Sequence, residues 1–464
     1  MDNKELNTED FNINNLRKPV LNGETRSINW RKLQLGILKA LVEENEDAIL
    51  EALACDLGKP PTEAFFEIAA LKQELSLTSK NLSSWIKAKS VNVPIFLKPG
   101  NAMSLNEPLG CVLIIGPWNY PFMLTIHPLI SALAAGNTAV VKPSEYAPET
   151  SKLIAKLINL YFPKDVVLAF EGDSKFSEQL VKNKFDHIFF TGGSKIGSKI
   201  MQSAAKTLTP VTLELGGKNP AIIIKGADIE TTARRLIWGK SINAGQTCLA
   251  PNHILVEEGL KEGLIKQMKD SIINFYGSEP LESSSLGNLN NRHFERINNL
   301  LENARDRNQI IFGGDVDLKR RRVSPTLIDI KSFKDSLLEE DEIFGPLLPI
   351  VEIKNLSYAL DQIRKYEKPL AIYMFGGSKE DQKILINTTS SGGVCFNDVI
   401  IQAGIPELPF GGVGYSGMGS YHGKAGFDNF SHKKSILNRP FWLDLQFRYP
   451  PYNIDISLLR KLLS

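Results

Sequence analysis

Between residues 110 and 193 four apolar runs of strand length follow one another: CVLIIG (111–116), NTAVVKP (137–143), DVVLAFEG (165–172) and DHIFFTGG (186–193). Each ends in glycine, proline or a polar turn, and stretches of helical character, 121–135 and 149–161, lie between them. Strand, helix, strand in succession predicts an α/β fold with a doubly wound parallel sheet. A second series begins at AIIIKGA (221–227) and continues through helical stretches at 229–240 and 260–275. Its further strands are HILVEE (253–258), PTLIDI, LPIVEI, AIYMFG and GGVCFN. That predicts a second α/β unit of comparable size. The first hundred residues read as mainly helical, with Leu33, Ile37, Leu38, Leu41 and Leu53 at helical spacing over 29–53, and 63–85 continuing in the same manner. After Gly411 the stretch GGVGYSGMGSYHGKAG suits a loop threading close to other backbone.

Composition narrows the function. At 464 residues the chain has room for about three domains of roughly 150 residues each. A net charge of +2 is too small for a nucleic-acid footprint. The polar, acidic N-terminus MDNKELNTED has no secretory pattern, and no run approaches the ~18 apolar residues of a membrane span. Cys55, Cys111, Cys248 and Cys395 lie far apart without C-x-x-C, which argues against disulfides or zinc and for a cytoplasmic setting. The six histidines show no metal-binding spacing, so no metal is expected and acid–base work falls to carboxylates or thiols. The tail ISLLRKLLS is amphipathic but about two helical turns long, and is expected to pack on protein rather than membrane.

Several short stretches have the residue types that chemistry needs. In DHIFFTGGSKIGSKIM, Gly192, Gly193, Ser194 and Gly197 stand between a strand and a helix, where backbone N–H groups and a helix N-terminus can face a pyrophosphate. The run is not a strict G-x-G-x-x-G, and the acidic ribose clamp expected downstream is missing. Glu145 stands upstream instead, with Lys142 beside it, in a reversed order. GPWNYPF (116–122) surrounds one amide, Asn119, with aromatics and prolines; it is a structural loop or a holder for an oxyanion-stabilising amide. Glu214 in VTLELGGKNP is either paired in the core or raised in pKa by desolvation, as a general base requires. EEDEIFGPLLP (339–349) offers Glu342 for ribose hydroxyls and Phe344 for a flat ring, or is a surface acidic cluster. NAGQTCLAPN (243–252) places Cys248 where no hydrophobic period explains it.

Taken together, LGCVLIIGPWNYPF, NTAVVKPSE, FFTGGSKIG, TLELGGKNP, NAGQTCLAPN, EIFGPLLP, SGGVCFND and LPFGGVGYSGMGSYHGKAGF resemble, in order and spacing, the aldehyde dehydrogenase superfamily. The resemblance runs from about residue 25 to the end. It is greatest to the class 3 branch, through the short N-terminus, IIGPWNYPF, SYHGKAGF and the RYPPY of the tail. It implies a dinucleotide-binding domain (1–85 and 111–213), a catalytic domain (214–425), a small bridging β-element (86–110 and 426–440) and a C-terminal tail (441–464).

The resemblance further implies roles. Cys248 is the nucleophile, Asn119 with the Cys248 backbone N–H holds the oxyanion, and Glu214 activates the water that hydrolyses the thioester. Gly192, Gly193, Ser194 and Gly197 face the cofactor's pyrophosphate. Lys142 and Glu145 face its adenosine ribose, Glu342 its nicotinamide ribose and Phe344 the ring, with Trp118 lining the cleft. NAD is the expected cofactor, with NADP tolerated. The expected substrates are medium- or long-chain aliphatic or aromatic aldehydes, and the expected assembly is a homodimer. A CoA-acylating enzyme would lack the glutamate, which is present here. A non-catalytic member would have no chemical need for Cys248, Glu214, Asn119 and Glu342 together.

Overall fold

The computed structural model describes residues 12–339, 342–444, 446–452 and 455–463; the N-terminal stretch 1–11 and residues 340–341 of the acidic run lie outside them. Two large sheets stand as expected. The first has six strands in the order Gly417–Met418, Val211–Leu215, His187–Gly192, Cys111–Ile115, Thr138–Lys142, Val167–Ala169. All pairs are parallel except the edge strand Gly417–Met418. The chain enters at Cys111–Ile115, winds outward to Val167–Ala169, then crosses to His187–Gly192 and winds the other way. The strand order therefore reverses between Ile115 and Gly192, and ligands of such sheets bind in the crevice at that reversal.

The second sheet has seven strands, Ile310–Phe312, Thr326–Ile330, Leu347–Ile353, His253–Glu257, Pro220–Ile223, Ala371–Phe375 and Gly393–Phe396, parallel apart from the first. The central strands are buried at every position or nearly so, the pattern of a sheet covered on both faces by helices. A third, antiparallel sheet joins Lys89–Val91, Asn101–Pro108 and Ser431–Asn438.

The helical reading of 29–53 needs one correction. Two helices, Ile28–Glu44 and Glu46–Leu57, meet at Asn45, whose φ of −120° is not helical and whose side-chain amide donates to the Leu41 carbonyl at 2.9 Å. Asparagine competes in this way with the helical ladder.

The division at 213/214 also needs correction, because it cuts the strand Val211–Leu215. The stretch from Gly417 to Asn429 likewise belongs with the first sheet: Gly417 pairs with Glu214, and the helix Gly423–Asn429 packs on the helices Pro61–Trp85 and Met123–Ala135. Only glycine can hold the edge position, since φ at Gly417 is +146° and a Cβ there would stand 2.3 Å from the Leu213 carbonyl oxygen.

One buried side chain ties this return to the rest. Asn137 accepts from the Gly110 N–H at 2.9 Å and donates to the carbonyls of Ala132 at 3.1 Å and Phe430 at 2.9 Å. Asn137→Ala removes the side-chain partner of the Gly110 N–H and of the Phe430 carbonyl, while the Ala132 carbonyl keeps the N–H of residue 137, and is expected to destabilise the protein by about 3 kcal/mol. Chemical denaturation followed by tryptophan fluorescence checks this.

Candidate active site

Asn119, Glu214, Cys248 and Glu342, separated in sequence, are brought near one another. Asn119 leaves the C-terminal end of Cys111–Ile115, and Glu214 sits near the end of Val211–Leu215. Cys248 comes from the other unit, on the connection between the helix Ile229–Ser241 and the strand His253–Glu257.

Direct bonds lock the two loops. The Asn119 amide donates to the Gln246 carbonyl at 3.0 Å, and the Asn243 amide donates back to the Asn119 carbonyl at 2.7 Å. Beside them the Tyr120 and Thr247 hydroxyls share a hydrogen bond of 2.7 Å. From behind, Asn219 donates to the Cys248 carbonyl at 2.6 Å, and the Tyr373 hydroxyl donates to the Leu249 carbonyl at 2.6 Å. The carbonyls of Cys248 and Leu249 are thus each held by a side-chain donor. One hydrogen of the Asn119 amide is used on Gln246, which leaves the second for an oxyanion.

Electrostatics give the carboxylates and the thiol distinct states. Glu214 is buried with neither carboxylate oxygen hydrogen-bonded, and burial pushes its pKa well above the usual carboxylate range. Of the two alternatives left open by the sequence, desolvation holds and core pairing does not. Burial likewise pushes the Cys248 thiol up to about 12, with the charges of Glu342 and Glu214 adding to it and the backbone N–H groups of Cys248 and Leu249 opposing it. The protein alone therefore keeps the thiol protonated at neutral pH.

Glu342 is not part of a surface cluster. It is raised to about 8, first by burial, against the pull of Lys240 and Arg296 and an N–H bond from Gly217. A Cβ on Gly216 would stand 2.0 Å from its carboxylate, so the absence of a side chain there lets the Glu342 carboxylate lie against the backbone. Arg296 fixes this loop by donating to the carbonyls of Glu342, at 3.1 Å, and of Ile343.

The crevice at the strand reversal contains the glycine turn. Gly193 caps the helix Ser194–Ala205, and a Cβ there would meet no heavy atom within 4 Å, so this helix N-terminus faces open space. Gly197 does a different job: a Cβ would come within 2.8 Å of Leu215, so it lets helix and strand close up. Ser194 donates to the Tyr415 carbonyl at 3.3 Å. Lys142, 1% exposed, pairs with Glu145 at 2.5 Å, two strands and about 10 Å from Gly192. An open helix N-terminus at one side and a buried cation–carboxylate pair at the other are the donor set a dinucleotide's phosphates and ribose require.

Trp118 and Phe344 meet edge to face at 5.6 Å, and His293 stacks on Trp118 at 4.7 Å. His293 carried no signal in the sequence. Neither did Lys240, buried and lowered to about 7 by desolvation beside Glu342. Tyr120 was visible inside GPWNYPF, but its hydroxyl's partner is distant in sequence. An apolar cleft runs beside the nucleophile loop, lined by Leu249, Leu370, Val394, Leu408 and Phe410 with Gln402 at one wall.

These features define an oxidoreductase built on a dinucleotide-binding sheet with a cysteine facing it, and the comparisons agree. A model of the Aldehyde dehydrogenase family matches residues 24–436, and the chain belongs to that family. It is an NAD(P)-dependent aldehyde dehydrogenase. Family 3 member H1 of Arabidopsis thaliana is 42% identical over 457 residues, covering 97% of this chain and 94% of that one. The dimeric, NADP-preferring aldehyde dehydrogenase of Rattus norvegicus is 41% identical, covering 95% and 97%. A substrate-bound structure of Staphylococcus aureus AldH superposes with a TM-score of 0.94 at 39% identity, covering 97% and 98%.

If the second hydrogen of the Asn119 amide serves the oxyanion, Asn119→Ala should lower kcat by roughly 10²–10³ while the protein stays folded. Steady-state kinetics on variant with wild-type circular dichroism check it; a loss below about threefold would leave Asn119 a structural role only.

Proposed function

We propose that this protein oxidises medium- or long-chain aliphatic or aromatic aldehydes to carboxylic acids, with Cys248 as nucleophile, Asn119 as oxyanion donor and Glu214 as general base. The observation that carries the reading is Glu214, a buried carboxylate with both oxygens unpaired, close enough to the half-buried Cys248 thiol for its charge to act on it. The apolar cleft at Leu249 and Phe410 supports the substrate class.

The chemistry runs in two halves. The thiol passes its proton to water, Cys248 Sγ bonds to the aldehyde carbon, and the carbonyl pair moves onto oxygen, held by the Asn119 amide and the Cys248 N–H. When bound, the oxidised nicotinamide cofactor supplies the acceptor for the hydride that leaves this carbon, and its positive ring favours the thiolate. Expulsion of hydride restores the carbonyl as a thioester. Glu214 then takes a proton from water, the water oxygen attacks the thioester carbon, and the C–S bond breaks to release the acid and the Cys248 thiolate.

Glu214 acts as base only when ionised. Its raised pKa therefore predicts that deacylation speeds up with rising pH through a window above the ordinary carboxylate range. Glu214→Gln should retain a stoichiometric burst of reduced cofactor but lose turnover, whereas Cys248→Ser should lose both. Stopped-flow absorbance with NAD and an aliphatic aldehyde series, with and without CoA, tests this. Turnover that requires CoA, or survives in Cys248→Ser, would sink the reading.

NAD is the proposed cofactor, with NADP tolerated. Glu145 bonded to Lys142 can accept a ribose hydroxyl but repels a 2′-phosphate, while Lys142 attracts one. Glu145→Gln should therefore raise the NADP/NAD ratio of kcat/KM by roughly tenfold, equivalent to about 1.4 kcal/mol. An unchanged ratio would remove Glu145 from the cofactor site. A homodimer and a cytoplasmic setting belong to the same proposal. They are supported by the relative named as dimeric and by four free cysteines, and among the described residues no helix is long and apolar enough to cross a membrane.

A further inference from the structure

The segment that delivers the nucleophile has an unfavourable backbone. Asn243 (φ 52°, ψ 36°) and Ala244 (φ 52°, ψ 32°) are both left-handed, and Gly245 follows at φ 76°. For residues other than glycine this conformation is unfavourable and persists only where the surroundings impose it. Gly245 lies against Gly345, where a Cβ would be 2.4 Å from the backbone. The Asn243 side chain is already engaged by the carbonyls of Asn119 and Gln246. That leaves its main-chain N–H, which donates to Glu63 Oε2 at 2.8 Å.

Glu63 lies in the first turn of the helix Pro61–Trp85, and the same helix end holds the opposing loop. Lys59 and Glu67 form a fully buried ion pair. The Lys59 ammonium stands 3.9 Å over the Tyr120 ring, and Glu67 accepts from the Met123 N–H at 2.9 Å. The start of this helix and the residue leading into it thus contact the Asn119 loop through Lys59 and Glu67 and the Cys248 loop through Glu63. A carboxylate shielded as Glu63 is, raised to about 7 by burial, has given up hydration to make its bond to Asn243.

We infer that Glu63 is a positioning residue: by accepting the Asn243 N–H it holds the left-handed pair Asn243–Ala244 in the orientation that aims Cys248 at Asn119. The inference rests on the reading of Cys248 as nucleophile. The hydrogen bond of Glu63 goes to the Asn243 N–H and to none of the residues assigned to the cofactor, so its loss should move the thiol relative to the amide and leave the cofactor site as it is.

Three variants test it, with kcat expressed per active site titrated by the burst. Glu63→Ala, with no acceptor, should lower kcat by about tenfold or more, since misplacement of a reacting group by ~1 Å can cost up to ~10²-fold. Its KM for NAD should stay within about twofold. Glu63→Asp, whose carboxylate falls short by one methylene, should behave like Glu63→Ala. Glu63→Gln, whose amide oxygen still reaches Asn243, should recover kcat to within about threefold of the wild type. Should Glu63→Ala not fold, the Glu63→Asp and Glu63→Gln pair decides alone. Equal impairment of Glu63→Gln and Glu63→Asp, an unchanged kcat in Glu63→Asp, or a change confined to KM would overturn the inference. Cys248→Ser, run alongside, separates the two failures: activity surviving there defeats the nucleophile reading, whereas its loss with an unaffected Glu63→Asp defeats only the role of Glu63.

Discussion

The structure depends on the exchange of hydrogen bonds between Asn119 on one unit and Asn243 and Gln246 on the other. A thiol and an oxyanion donor that belong to different sheets can cooperate only if their separation is fixed to a fraction of an ångström, and neither sheet can fix it alone. The amides do so with uncharged groups, which leaves local charge to the carboxylates that chemistry needs. The site is then free to hold Glu214 without a partner. In most protein interiors that would be a defect; beside Cys248 it keeps a base in reserve at a pH where ordinary carboxylates hold no proton to exchange.

The buried charges show how the surrounding protein supports this state. Glu342, Lys240 and Arg296 form one electrostatic group in which desolvation brings a carboxylate up to about 8 and an ammonium down to about 7. Burial works against both charges, while each group's charge favours the ionised form of the other. The Cys248 thiol senses the same field, since Glu342 heads the charges that raise it.

Much of this was legible in the sequence, for identifiable reasons. The parallel sheets were readable because strands buried on both faces write themselves as unbroken apolar runs such as CVLII and TAVVK. The candidate site residues were readable where glycines and prolines cluster around a single reactive type, as at Asn119, Glu214 and Cys248. Asn45 broke a helix without any proline or glycine to announce it. Partners that meet only in space were silent: His293 against Trp118, Glu63 beneath Asn243, and Lys240 near Glu342 are separated by tens to hundreds of residues and belong to unremarkable helical stretches. The unit boundary failed for a related reason, since nothing in the glycine-rich run 411–426 says that it returns to the first sheet.

That return has a consequence for how the molecule is made. The strand Gly417–Met418 completes the sheet edge at Glu214, and Ser431–Asn438 pairs along the whole length of Asn101–Pro108, so the last tenth of the chain closes elements from its first half. A polypeptide leaving the ribosome can assemble much of the first sheet early, but its edge at Val211–Leu215 stays unpaired until more than two hundred further residues have emerged. The thiol and its base are therefore brought under cover only when synthesis is nearly complete, and a truncated chain would expose an open strand edge beside an unshielded nucleophile.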